Sequence, residues 1–275
     1  MQGYSVLMSV YAKDKPEYIK IAIDSMLNQT IPPEQFVIVL DGKVPDTITA
    51  VVTEYENRYP QVFTVVALAE NGGLGHALNE GLRYCRNELV ARMDADDISL
   101  PTRCERELEM FVQNDGLDIC GCNIDEFCGT PDNVRTSRIV PETDVQIKRF
   151  MRRRQPFNHP SVIYRKSKVT SNGGYVELKR KEDFDLFSRM LSNDCHAANV
   201  GESLYLYRAD KANYARRKSR QNFESALYVY WRHLVRKGCT AVDFMIICAA
   251  ECMFMMLPCK MVQLISDRLL REKKY

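Results

Sequence analysis

Four short apolar runs set the frame of the first hundred residues: Tyr4–Val10, Phe36–Leu40, Val62–Leu68 and Leu89–Met93. Between them the apolar residues change to helical spacing, as in Ile19, Ala22, Ile23, Met26 and Leu27 within Pro16–Asn28, and again over Thr47–Tyr59 and Ala77–Tyr84. Strand alternating with helix at this pace predicts a parallel sheet with helices on both faces. In such sheets ligands bind beyond the carboxyl ends of the strands. Three runs end there in polar or glycine-rich loops: Ser9-Val10-Tyr11, Asp41-Gly42, and Asp94-Ala95-Asp96-Asp97. That convergence locates a site before any residue has a role.

Further along, the spacing predicts a helix over Pro101–Asn114, a strand at Asp118–Cys122 and a turn-rich stretch from Phe127 to Thr143. A strand over Asn158–Tyr164, a Gly173-Gly174 turn, a helix over Glu182–Asn193 and a short strand at Leu204–Tyr207 follow. After Asn222 the pattern is helical to the end. There is no internal repeat or low-complexity linker. A composition shift near residue 215 separates an α/β domain, 1–215, from a partly amphipathic helical extension, 216–275.

Charge excludes one class of function. With 38 basic and 36 acidic residues the net charge is +2, so the chain does not bind nucleic acid through overall basicity. Ten cysteines in 275 residues, without a CxxC pair or Cys/His metal spacing, point to reduced, mostly buried thiols in a cytoplasmic protein. Ser5–Val10 lacks the flanks of a secretion signal. Phe244–Cys259 is interrupted by Glu251 and closed by Pro258, short of the roughly 20 residues that span a bilayer.

Asp94, Asp96 and Asp97 crowd three carboxylates after an apolar strand, an arrangement that calls for a counter-charge. A hard divalent cation shared with phosphate oxygens supplies it, Mn²⁺ or Mg²⁺ by ligand type. The competing reading is a solvated acidic turn ahead of the helix after Pro101. Asp41 is either an acceptor for a nucleobase edge or part of an Asp-Gly turn. Asn71-Gly72-Gly73-Leu74-Gly75 allows close backbone approach to a phosphate or sugar, but it lacks the residues of a P-loop. Glu182 and Asp183 open a helix, where acids favour the dipole; a carboxylate there also serves as a general base. His159, ahead of an apolar strand, reads as structural when taken alone.

Together these segments carry a resemblance. Tyr4–Tyr11, Asp41-Gly42, Asn71–Gly81, Ala91–Asp97, Asn158-His159-Pro160-Ser161, Gly173-Gly174-Tyr175 and Glu182-Asp183-Phe184-Asp185-Leu186 stand in the order of a family-2 glycosyltransferase. The resemblance covers about residues 4–210 and is closest to bacterial enzymes of capsule, O-antigen or exopolysaccharide synthesis. It implies a GT-A fold, with a nucleotide-sugar half at about 1–100 and an acceptor half at about 101–215. It also implies a nucleotide-sugar donor, often UDP-linked, a divalent cation, and inversion at the anomeric carbon. By matching position, Ser9, Tyr11, Asp41, Asn71, Gly72, Asp94 and Ala95 fall to the nucleotide, and Asp96 with Asp94 to the metal. Asp183, with Glu182 beside it, falls to catalysis, and His159 and Arg208 to the acceptor or donor pocket. The acid pair usual before the glycine is here Leu40-Asp41, followed by Lys43 rather than serine. The Gln-x-x-Arg-Trp signature of processive enzymes is absent, so transfer of a single sugar is expected.

The acceptor implied is a saccharide, free or lipid-linked. Competing classes are a DxD phosphotransferase or phosphatase, a nucleotidyltransferase, and a non-catalytic sugar-nucleotide-binding protein. The cluster Arg216, Arg217, Lys218 and Arg220 is either solvated or a site for the donor diphosphate or an anionic acceptor. Phe244–Leu257, with the basic residues Arg268, Arg271, Lys273 and Lys274 after it, reads in three ways. It is an interfacial element at the inner face of the cytoplasmic membrane, a helix pair packed on the domain, or a homodimer contact.

Overall fold

The computed structural model describes residues 2–209, 219–257, 261 and 272–273. The four apolar runs form parallel strands β1 (Tyr4–Val10), β2 (Gln35–Leu40), β3 (Phe63–Ala67) and β4 (Leu89–Asp94), in spatial order β3-β2-β1-β4. Helices α1 (Pro16–Leu27), α2 (Asp46–Arg58) and α3 (Leu74–Tyr84) connect them. α1 starts on Pro16, whose fixed φ and missing N–H suit a first helical position. α1 and α2 bury their apolar faces on the sheet side that carries Tyr4, Val6 and Met8, while α3 covers the side of Leu7, Val37 and Val39. The sheet therefore has a core on each face, as the uninterrupted apolar runs require.

Beyond β4 the sheet turns antiparallel. β5 (Ile98–Ser99) and α4 (Arg103–Gln113) lead to β6 (Leu117–Phe127), and β8 (Ile163–Arg165) inserts between β6 and β4, antiparallel to both. β7 (Val134–Arg138) lies in the stretch expected to be all turn. Its sequence shows little apolar alternation. It is held instead by polar cross-strand pairs: Thr136 Oγ1 donates to Glu126 and Ser137 Oγ to Asp125, at 2.8 and 2.7 Å. The strand expected over Asn158–Tyr164 begins as a 3₁₀ turn, His159–Ser161, because Pro160 has no N–H to give a ladder. Leu204–Tyr207 is the end of a much longer strand, β9 (His196–Arg208), which runs parallel to β6 and antiparallel to β5. Two short helices, α5 (Asp144–Met151) and α6 (Lys166–Ser171), had no clear apolar period to announce them.

α7 (Glu182–Ser192) packs its phenylalanines under the α3 side of the sheet. The helical run after Asn222 is two helices, α8 (Arg220–Val235) and α9 (Ala241–Met256), broken where Lys237 takes a left-handed φ of 61° and Thr240 caps the second. It is not helical to the end, since Glu272–Lys273 pairs as a short strand antiparallel to β7. α8 lies on α7: the Phe184 and Tyr230 rings are 4.4 Å apart, and Arg236 pairs with Asp185 at 3.0 Å. Arg216, Arg217 and Lys218, the junction near 215, and the basic residues Arg268 and Arg271 lie outside the described residues. None of the nine described cysteines is in a disulfide, and six are buried. Among the described residues no helix is long and apolar enough to cross a membrane.

Candidate active site

Parallel register brings the strand ends together. Ser9 of β1 lies opposite Asp94 of β4, and Val10 opposite Leu40 of β2, so the residues that follow share one rim. There a cleft of about 830 Å³ opens. Ser9, Tyr11, Asp41, Asn71, Gly72, Asp94, Ala95, Asp96 and Glu182 all line it.

Asp41 organises that rim. Its carboxylate accepts hydrogen bonds from Asn71 Nδ2 at 2.9 Å, Gly72 N at 2.8 Å and Gly73 N at 3.1 Å, which ties the glycine loop to the end of β2. Gly42 beside it has φ of 80°, and a Cβ there would lie 2.6 Å from Asn71 N, so only glycine lets the two loops approach.

The acidic loop is held from beneath and behind. Arg92, fully buried on β4, donates to Asp94 Oδ1 at 2.5 Å and to the carbonyls of Leu7 and Met93. Arg208 lines neither this cleft nor the chamber beside it. Its backbone N–H bonds Asp97 Oδ1 at 2.7 Å, its Nε bonds the Asp96 carbonyl at 2.8 Å, and its guanidinium lies 3.8 Å from the Tyr18 ring centroid. Asp97 is fully buried, and burial first, then the charges of Asp96 and Asp94, push its carboxyl well above the usual range.

Asp94 and Asp96 face the cleft with Asp14, a residue the motif reading did not single out. Burial and the charges of Asp96 and Asp94 push Asp14 up to about 7, against the pull of a hydrogen bond from Tyr11 N. The Asp96 and Asp94 charges thus act on Asp14 across this rim, and a divalent cation bound there would offset that repulsion. Among the described residues no three acidic, histidine or cysteine side chains converge into a ready metal cage. Mn²⁺ and Mg²⁺ in general need only one or two protein carboxylates when substrate phosphates complete the shell. Lys179 and Arg180 line the same cleft from the loop before α7, and Gln221 and Asn222 from the start of α8.

A smaller chamber of about 200 Å³ adjoins it, sharing Asp94 and Tyr207 with the cleft. Asp183, His159, Asn158, Glu126 and Arg138 are among its walls. The adjacent acids at the start of α7 are thus divided, Glu182 toward the cleft and Asp183 toward the chamber. Burial and the Asp183 charge push Glu182 up to about 7. Burial would raise Asp183 too, but the His159 ring, the Gln155 amide at 2.9 Å and the Phe184 N–H at 2.8 Å hold it below the ordinary carboxylate value. His159 is pushed down to about 4 by burial and by Arg92, and its Nε2 is hydrogen-bonded with the Tyr175 hydroxyl at 2.9 Å. A low-pKa acid beside a high-pKa acid is the division expected of groups with different tasks.

The family model for glycosyl transferase family 2 matches residues 5–172. The chain belongs to the family-2 glycosyltransferases. It is 33% identical to the amylovoran biosynthesis glycosyltransferase AmsE of Erwinia amylovora over 267 residues, covering 96% of this chain and 98% of that one. It is 32% identical to the UDP-Gal:alpha-D-GlcNAc-diphosphoundecaprenol beta-1,3-galactosyltransferase of Escherichia coli, covering 84% and 87%. Among solved structures, Staphylococcus aureus TarS 1–349 in complex with UDP superposes with a TM-score of 0.65 at 18% identity, over 91% of this chain and 70% of that one. The mannosyltransferase PcManGT of Pyrobaculum calidifontis, with GDP-Man and Mn²⁺, gives 0.66 at 16%, over 97% and 75%. These likenesses show the GT-A fold.

Besides Asp14, the sequence reading gave no separate role to Arg92 or Asn158, although both stand in its motif segments, and it did not reach Gln155. Arg92 left a further trace, as a charged residue inside an apolar strand. Such a residue is buried only with partners. Gln155 meets Asp183 across 28 residues, a contact without local spacing to reveal it.

Proposed function

We propose that this enzyme moves one sugar from a nucleotide-sugar, a UDP-sugar in the first instance, to a hydroxyl of a saccharide acceptor, with inversion, in bacterial surface polysaccharide synthesis. The observation that carries the reading is the division at the start of α7: Asp183 enters the small chamber, while the cleft with the acidic rim lies on the other side of Asp94. The donor nucleotide is assigned to the cleft and the acceptor ring to the chamber. The relatives' printed roles in amylovoran and diphosphoundecaprenol-linked synthesis support the pathway class and a lipid-linked acceptor.

In the transfer, Asp183 accepts the proton of an acceptor hydroxyl. That oxygen bonds to the anomeric carbon as the carbon–oxygen bond to the nucleoside diphosphate breaks, and the diphosphate leaves with the electron pair. Asp96 and Asp94 would hold a divalent cation that offsets charge on the diphosphate when bound. Asn158, almost fully buried, spends its amide nitrogen on the Cys122 carbonyl at 2.8 Å, while its Oδ1 has no partner among the described residues. A carbonyl partner fixes the side-chain amide orientation. Asn158 Oδ1 is therefore available to a second hydroxyl of the acceptor ring.

The test is a panel of nucleotide-sugars assayed for nucleoside diphosphate release, with Mn²⁺ or Mg²⁺ and with chelator. Metal-dependent release from at least one donor is expected. Binding without turnover for every donor and acceptor tried would favour a non-catalytic sugar-nucleotide receptor.

A further inference from the structure

α9 is apolar nearly all round, which is the wrong composition for a helix that faces water. Its only two charged side chains, Asp243 and Glu251, are turned inward: Asp243 is 1% exposed and Glu251 is half-buried. Every exposed position on it is apolar, with Val242, Met245, Ile246, Met253 and Met256 forming one stripe at helical spacing. Nine of the fifteen exposed large apolar side chains among the described residues fall between Tyr228 and Met261, so the apolar surface is concentrated and not scattered. A contiguous patch of this kind marks an interaction surface. Trp231, the chain's single tryptophan, is half exposed at the seam between α8 and α9, its ring 5.9 Å from that of Phe244.

We infer that this face seats in an anionic lipid surface. Charge selects lipid over a second protein copy. Asp243 is matched by two arginines, Arg152 at 2.6 Å and Arg153 at 2.5 Å, whose side chains remain 42% and 55% exposed, leaving a net positive charge at one end of the stripe. Arg232 and Lys237 are exposed close by in sequence. An exposed apolar stripe with a tryptophan at its edge and arginines beside it suits the boundary between headgroups and acyl chains. A specific dimer, by contrast, engages about 20–30 residues a side, more than one helix stripe offers.

Position agrees with this purpose. Asn222 lines the donor cleft and Trp231 follows it on the same helix by nine residues, which is about 14 Å along the axis. A membrane under α9 would therefore present a lipid-diphosphate acceptor within reach of the chamber. This last step rests on the acceptor reading above, while the lipid surface itself does not.

The experiment uses the full chain with phosphatidylcholine vesicles, with and without phosphatidylglycerol, and no nucleotide or acceptor. Co-sedimentation with the anionic vesicles and a blue shift of Trp231 emission are expected, both weakened by salt. The double variant Met245→Glu, Met253→Glu should lose about tenfold or more in partitioning while keeping the wild-type melting temperature and UDP affinity. Three results overturn the inference. They are wild-type protein that stays in the supernatant with unchanged emission, a double variant that binds like wild type, and a vesicle-free dimer that shields Trp231 from a soluble quencher. Failure of UDP to bind would count against the donor reading alone.

Discussion

Gln155 donates its side-chain amide to Asp183 Oδ2 across 2.9 Å, and the Phe184 N–H donates to the other oxygen. The carboxylate is thereby kept ionised in a buried place. Asp183→Asn should lower transfer by about 10²–10⁴-fold or more with UDP affinity nearly unchanged; a wild-type turnover rate would remove the base assignment. Gln155→Leu deletes a donor to the charged form, so the Asp183 pKa rises. The acidic limb of the kcat/KM profile should move to higher pH, which a pH–rate series would show.

Asp96→Ala should weaken nucleotide binding only where a divalent cation contributes to it. Calorimetry of UDP with Mn²⁺ and with chelator reads the difference. Wild type should bind at least tenfold tighter with the metal, and the variant should show little of that gain. An unchanged metal titration would sink the role of Asp96.

Asp41 receives three hydrogen bonds from the glycine loop, so loss of its carboxylate orphans the N–H groups of Gly72 and Gly73, while the Asn71 amide keeps the Asp41 carbonyl at 3.0 Å. Asp41→Ala should cost about 1–3 kcal/mol in urea unfolding and weaken UDP binding together. A variant that loses UDP affinity at full stability would make Asp41 a ligand contact alone.

His233 is buried between α7 and the α8–α9 turn, its ring 5.6 Å from that of Phe184. Burial and Arg236 push it down to about 4. An unfolded histidine titrates near 6.5. Between about 6.5 and 4 the unfolded chain therefore binds a proton that the folded chain refuses, so stability falls as pH falls through this window. His159 has the same sign. His233→Phe should make the fall in melting temperature across that range shallower; an unchanged slope would show that His233 does not contribute.

The parallel half of the sheet was legible because its strands are buried on both faces and leave continuous apolar runs. β7 was not, since VRTSR is held by Glu126 and Asp125 on a strand ten or more residues away. The cleft residues were legible for a related reason: they follow strand ends directly, and parallel register does the rest. Arg208 shows the limit. Its spacing offered a ligand contact, and could not show that its N–H and Nε bond Asp97 and the Asp96 carbonyl and so brace the acidic loop. The long apolar run of α9 was visible in sequence, but not that Asp243 would turn inward to meet Arg152 and Arg153.

α8 begins with Gln221 and Asn222 in the wall of the donor cleft and ends at the apolar face of α9. One rigid rod thus has an end in each environment, and a shift at either end is a shift at both. If seating on a bilayer moves α8, the affinity for nucleotide changes by some factor, and nucleotide must change the affinity for the bilayer by the same factor. The extension then works as a lever as well as an anchor, able to make donor capture depend on whether the enzyme has reached the surface where its acceptor waits.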